Sequence, residues 1–474
     1  MDGRDLAKYC IEFAENLGIE YAEARFEKSM TRGFAFRNGE PVSGGTRPLS
    51  GIGVRLLVDG SFGFASFDRL EKDLAENTIR IAHKMAKNTK RKHPIKIGDP
   101  ISNNANWKVK VKENLADVDI DTIMDTTKIL NDQMQGLDSF MLTFNPLVNE
   151  KYIVTNEGTE IDAKMSQILA SAIMTAKGKT GSEQRFLDLS MLGGWERIGE
   201  TGLVEYLSDE VRRLQNAAER AEVVKEVMEK PVDMVVGSEV SGIISHENVG
   251  HPSEGDRIMG REGAQAGESF WRDLKLGESR VGSDAVTVSE DPTVPFLGFY
   301  EYDDEGVRAR KRTLIKNGII NEPLLNREFG AKFGLESNGA ARSTGYNREP
   351  IIRMSNTFFE PGDFAFEELL EDVKFGIYMR SFQEWNIDDR RFQSKYTGSE
   401  AYLIKNGELT ETMVRRPVME TTSVGLLSAV DAVSNELKLV FPGTCGKGDP
   451  AQGIPVCAGG GEIRFRNIKL GGVG

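Results

Sequence analysis

Apolar residues fall at helical spacing in a few stretches of this chain, and much of the remainder alternates. Leu6, Ile11, Phe13 and Leu17 predict a helix over residues 2–17, closed by Gly18. Strands follow at 21–26, 33–36, 51–58 and 61–67, with Asn38-Gly39 and Asp59-Gly60 as hairpin turns. Helical spacing returns over 69–87 and 118–137, and strands are predicted at 139–144, 151–155, 159–163 and 167–176. The Asn156-Glu157-Gly158 turn echoes Asn38-Gly39, so the order helix, meander, helix, helix, meander suggests an internally duplicated unit. Residues 206–230 predict a long charged helix ending at Pro231, which sets a boundary between domains at 1–225 and 226–474.

Beyond that boundary the pattern is mostly β, with a short strand at 286–288 and hairpin signals at Asn317-Gly318 and Asn406-Gly407. The fold class expected is α+β. It pairs an N-terminal helix and β-meander domain with a C-terminal, mostly antiparallel, barrel-like domain built beside one helix. That helix follows an apolar strand at 232–236 and a turn at Gly237. Ser238 is its expected N-cap, and Val240, Ile243, Ile244 and Glu247 follow at spacings of three and four.

This helix carries the candidate chemistry, because two of the four histidines in the chain, His246 and His251, bracket Glu247 in an HExxxH pattern. Neutral imidazole is a common zinc ligand, and a carboxylate beside it can take a proton from metal-bound water. Histidines four apart share a helical face, but five steps in a regular helix turn the rings about 140° apart. A π-bulge, or a break at Gly250 and Pro252, has to close that angle, so a distorted helix end is expected at His251. Glu254 and Asp256 follow closely; they either orient a histidine or bind a peptide N-terminus, or are solvated acids with Asp256 paired to Arg257. The glycine-dense stretch 443–461 excludes a helix and holds two cysteines. Cys445 or Cys457 can complete the ligand set, unless the stretch is a flexible loop whose cysteines only pack.

Composition narrows the function classes. Sixty basic against 73 acidic residues give a net charge of −13, which argues against a nucleic-acid partner. The basic run at 83–96 reads as a solvated helix end and loop. Three cysteines do not make a disulfide framework, and no signal peptide or 18-residue apolar run is present, so a cytoplasmic protein with no membrane partner is expected.

The segments HENVGHPSEGD, DDEGV, IIRMSNTFFEPGD and CGKGDPAQGIPV, in that order, resemble the TldD/PmbA family of intracellular metalloproteases across most of residues 226–474. The intact HExxxH resembles the TldD-type subunit, because partner-type subunits typically lack it. The resemblance implies two α+β domains and zinc (Zn²⁺) held by His246, His251 and the cysteine of the CGK run, which maps to Cys445 rather than Cys457. It also implies cleavage of unfolded or short peptides, bound as an added strand inside a dimer cavity. The dimer would be a homodimer or a heterodimer with a related PmbA/TldE-like subunit. Thiolate ligation favours zinc over iron or manganese, and Glu247 is the expected general base. One segment departs from the family pattern: residues 379–404 carry polar and aromatic residues where members commonly have glycine. A small-molecule metal-dependent amidase and a non-catalytic scaffold subunit are the competing readings.

Overall fold

The computed structural model describes residues 1–260, 267–448 and 451–471. Helix α1 (Gly3–Glu15) is capped by the Asp2 carboxylate, which accepts the Arg4 and Asp5 N–H groups, and it buries Leu6, Cys10 and Ile11. Strand β1 (Tyr21–Arg37) turns at Asn38-Gly39, both at positive φ, into β2 (Glu40–Val58), and β3 (Ser61–Phe67) and α2 (Lys72–Asn88) follow. The sequence predicts two short strands where β1 runs unbroken. Its polar middle stays extended because its backbone is paired on both sides, Lys28 with Ser50 of β2 and with Glu150 of the strand beyond.

After β4 (Asn104–Lys108) the same order recurs: α3 (Ile120–Asp132), β5 (Ser139–Thr155), β6 (Glu160–Gly178), β7 (Gly181–Asp188) and α4 (Leu203–Arg220). Strands β1 and β5 are each 17 residues long, β2 and β6 each 19, and the two meanders join antiparallel through β1 and β5. The resulting sheet runs β3-β2-β1-β5-β6-β4, with β7 paired to β6. Helices α1 and α2 cover one unit with Ile52, Val54 and Leu56, and α3 and α4 cover the other with Phe140, Leu142 and Phe144. The helix predicted over 206–230 stops at Arg220. Ala221 turns extended and the Glu222 N–H leaves the helix for the Met413 carbonyl, so a second short helix, Glu226–Glu229, follows instead.

Two larger sheets, and a two-stranded one of Ala341–Arg342 with Ile351–Ile352, carry the C-terminal half. Strand β8 (Val232–Val236) feeds helix α5 (Ser238–Ser245). The first sheet contains β9 (Val288–Glu290), β10 (Arg312–Lys316) and β11 (Asn356–Phe359). The second contains β8 with β12 (Phe375–Ile387), β13 (Gln393–Lys405) and β14 (Val418–Thr422). Strands β15 (Lys438–Lys447) and β16 (Gln452–Gly460) complete the first sheet, in the order β10-β9-β11-β16-β15, and β17 (Ile463–Ile468) joins the second beside β8. Most pairs are antiparallel; β11 with β16 and β8 with β12 are parallel. Helix α5 lies between the curled sheets, and Val240, Ile243 and Ile244 bury against both in the largest hydrophobic cluster. Among the described residues no helix is long and apolar enough to cross a membrane.

The DDEGV segment joins the two halves. Asp304 accepts from Lys151 of β5 at 2.6 Å and from Ser343 at 2.8 Å, and Glu305 accepts from Arg55 of β2 at 2.8 Å, all buried or nearly so. These pairs tie β5 and β2 of the N-terminal sheet to the C-terminal half.

Candidate metal centre

Gly237, not Ser238, is the N-cap of α5, and the reason is steric. A Cβ at Gly237 would stand 2.5 Å from the Arg380 carbonyl oxygen, so the chain turns on the glycine and Ser238 becomes the first helical residue. The helix is regular through Ser245. It then widens into a π turn over His246–Gly250, in which the His251 N–H bonds the His246 carbonyl, and tightens to a 3₁₀ turn over His251–Ser253 around Pro252. The wide turn closes the angle that five residues would otherwise open: the imidazole centroids are 4.9 Å apart with ring planes at 80°. Asn248 pins the turn by donating to Ser423 Oγ at 2.8 Å and Ser394 Oγ at 3.1 Å while accepting from the Tyr396 hydroxyl.

Cys445 comes to these rings from β15, where it pairs with Ile454. Its Sγ lies 3.4 Å from His251 Nε2, and donor atoms of His246, His251 and Cys445 all lie within 4.8 Å of one another. Zinc bonds of about 2.3 Å to sulfur and 2.1 Å to nitrogen put tetrahedral donors about 3.4–3.6 Å apart, and the separation of Cys445 from His251 matches that spacing, so the cluster could hold zinc with His246 drawn in. It is the only such cluster of three among the described residues. The glycine-rich stretch is a hairpin rather than a loop. A Cβ at Gly459 would stand 2.0 Å from the Lys438 carbonyl oxygen, and the bare backbone lets β15 and β16 close. Cys457 lies elsewhere, among Leu297, Phe358 and Leu439, and burial pushes its thiol up to about 12.

Charged groups surround the cluster. Glu254 Oε2 is 2.9 Å from His251 Nδ1, a contact that an Nδ1–H can fill while Nε2 faces the thiol. The same carboxylate takes Arg257 Nε at 2.6 Å, and Lys447 Nζ stands 3.2 Å from its other oxygen. Lys447 also donates to Asp256 at 2.7 Å and to the Ile352 carbonyl at 2.9 Å, which anchors the strand two residues beyond Cys445. Among the described contacts, Asp256 takes the Lys447 ammonium through its side chain and the backbone N–H of Arg257. Burial disfavours the charged form of His246 and lowers its pKa. Burial alone would raise the Cys445 thiol, but His251 and Arg353 outweigh it and hold the thiol below its usual range. Arg353 also donates to the backbone carbonyls of Cys445 and Gln452.

Glu247 projects from the π turn. Its Oε1 accepts from Trp385 Nε1 at 3.0 Å and its Oε2 faces Arg391 Nη1 at 3.2 Å. Burial opposes its ionisation, but His251, His246 and Arg391 prevail and keep it below the usual carboxylate range. These residues line a cleft of about 340 Å³, closed on one side by Ser171, Phe186 and Asp188 of the N-terminal sheet. A larger recess of about 480 Å³ near Arg55 and Glu349 includes Asp256 but none of the three donors. The individual roles of Asn248, Lys447, Arg353, Trp385 and Arg391 escape sequence reading, although each lies in a stretch the sequence singles out: Asn248 in HENVGHPSEGD, Arg353 in IIRMSNTFFEPGD, Lys447 in the CGK run, and Trp385 and Arg391 in residues 379–404.

Two histidines and a thiol that could hold a metal ion converge in one cleft beside a carboxylate that could take a proton from water on it. The chain belongs to the PmbA/TldA metallopeptidase family: the C-terminal domain of that family matches residues 229–472, and its domain 1 matches residues 22–86. A metalloprotease of Methanocaldococcus jannaschii is 33% identical over 94% of this chain and 96% of its own length. A protein of Saccharolobus solfataricus named as a zinc metalloprotease TldD homolog is 26% identical over 98% of this chain and 99% of its own. The crystal structure of TldE from Thermococcus kodakarensis superposes with a TM-score of 0.74 at 18% identity, covering 98% of this chain and 100% of that one. That likeness extends the fold over the whole chain.

Proposed function

We propose that this chain is a zinc-dependent peptidase that cleaves unfolded or short peptides, with His246, His251 and Cys445 as metal ligands and Glu247 as general base. The observation that carries the reading is the convergence of three donor atoms within 4.8 Å beside a buried carboxylate. Bound zinc would supply a Lewis acid and a water acidified to a pKa of about 7. The protein's own groups do the rest. Glu254 holds His251 in the tautomer that presents Nε2, and Lys447, gripped by Glu254 and Asp256, holds the strand that presents the thiolate. Glu247 takes a proton from the attacking water and returns it to the departing amine.

Strand β15 ends its sheet among the described residues, so its outer edge can pair with an extended peptide by main-chain hydrogen bonds, with little demand on sequence. In this reading the chain divides near residue 226. It works as a dimer, with itself or with a related TldE-like subunit, and in the cytoplasm, where its three free cysteines remain reduced. Glu247→Gln tests the chemistry: peptide hydrolysis should fall about 100- to 10,000-fold while bound metal is retained. Unchanged hydrolysis in that variant would remove the reading.

A further inference from the structure

The segment that departs from the family pattern builds the rim of the cleft. Strands β12 and β13 form a hairpin whose tip carries Arg391 at φ +60°, a left-handed conformation that is costly for a side-chain-bearing residue. The surroundings enforce it. The Arg391 N–H bonds the Asp388 carbonyl, its own carbonyl accepts from Ser423 Oγ at 2.7 Å, and the Asp388 carboxylate takes the Phe392 and Gln393 N–H groups. The neighbouring Arg390 carbonyl is held by the Phe270 N–H at 2.9 Å. The result is a guanidinium at 12% exposure, aimed into the cleft that holds His246, His251 and Cys445.

Its bonding is incomplete. The one acceptor it reaches among the described residues is Glu247 Oε2, at 3.2 Å through a single nitrogen, and Nε is buried with no partner. A guanidinium has five N–H donors, and donors left idle in a desolvated cleft are costly unless something else fills them. Glu247 is the base of the proposed reaction, so a group touching it stands beside the carbon under attack.

We infer that Arg391 receives the substrate's carbonyl oxygen as negative charge develops on it; this rests on the peptidase reading above. Water oxygen bonds to the carbonyl carbon as Glu247 takes its proton, and the C=O π pair moves to the oxygen that Arg391 holds. When that pair returns, the C–N bond breaks and the nitrogen leaves with the proton from Glu247. Trp385 Nε1 holds the far oxygen of Glu247 and keeps the carboxylate aligned.

The test compares wild type with Arg391→Met and Arg391→Lys, using one peptide as substrate and its phosphonamidate as the tetrahedral, anionic mimic. Arg391→Met should retain its metal and lose about 100- to 1,000-fold in kcat with little change in KM, and phosphonamidate affinity should fall by a similar factor. Arg391→Lys should recover part of both, and its folding guards against a collapsed methionine variant. Unchanged phosphonamidate affinity, with the acid limb of kcat/KM moved to higher pH, would mean that Arg391 acts only through Glu247 and would overturn the inference. So would a defect seen with free C-terminal peptides and absent with their amides, which would place the contact at the terminal carboxylate. A wild type that neither cleaves the peptide nor binds the phosphonamidate would instead remove the peptidase reading itself.

Discussion

Glu254 concentrates the electrostatics of the centre in one side chain. Burial opposes its charge, yet Lys447, His251 and Arg257 hold its carboxyl well below the usual range. Because that value lies below the unfolded one of about 4.3, the stabilisation is complete above that pH and is lost as pH falls through and below it. In metal-free protein, Glu254→Gln is expected to cost about 3 kcal/mol at pH 7, by leaving the buried Lys447 ammonium with Asp256 as its one charged partner among the described residues. Urea melts should show that difference unchanged down to about pH 5 and shrinking below pH 4. Sequence exposed the centre unevenly at this scale. His246, Glu247 and His251 stand in one short pattern in a histidine-poor chain, so residue type and spacing reveal them. Lys447 and Arg391 look like ordinary surface charges until the fold buries them, one 191 residues from Asp256 and the other 144 residues from Glu247.

At the scale of elements, the centre depends on how closely α5 lies on the β15–β16 hairpin. Gly242 of α5 permits that approach: a Cβ there would meet the Gly459 nitrogen at 3.0 Å and the Ala458 carbonyl carbon at 3.1 Å. Gly242→Ala should therefore push helix from hairpin, lower stability by about 1–3 kcal/mol and weaken metal binding, although neither residue is a donor. Chelator competition on the folded variant reads the second effect; unaltered metal affinity would show that the hairpin follows the helix. The need for a distorted helix end was legible because a spacing of five cannot share a regular face. The hairpin was not, because glycine density signals backbone freedom without saying whether a ladder will use it. The helix expected over 206–230 was too long for a related reason: its charge pattern continues past Arg220, while a tertiary bond from Glu222 to Met413 ends it.

Across the whole molecule, one group of buried ion pairs lies where the two halves meet. Asp304 is held down to about 2, with burial opposed by Lys151 and Arg25, and its partners come from β5 and β1. Asp304→Asn should destabilise the protein by about 3 kcal/mol and broaden its unfolding, as measured by denaturant melts followed by both near-ultraviolet and far-ultraviolet circular dichroism. A single sharp transition at the wild-type midpoint would show that Asp304 is not needed to join the halves. The meander order of the N-terminal half was readable from its turn dipeptides, and the α+β class from the pattern as a whole. The DDEGV segment was visible as a motif, but its place between the halves was not, since nothing local marks a carboxylate for a distant arginine. Light scattering on purified protein should give twice the chain mass of 52.5 kDa if the chain pairs with itself.

The central claim is that His246, His251 and Cys445 hold one metal ion, and elemental analysis of purified protein tests it most directly. Wild type and Cys457→Ala should each carry about one zinc per chain, and Cys445→Ala should carry almost none. Wild type free of metal after chelator-free purification, or zinc retained in full without Cys445, would contradict the account.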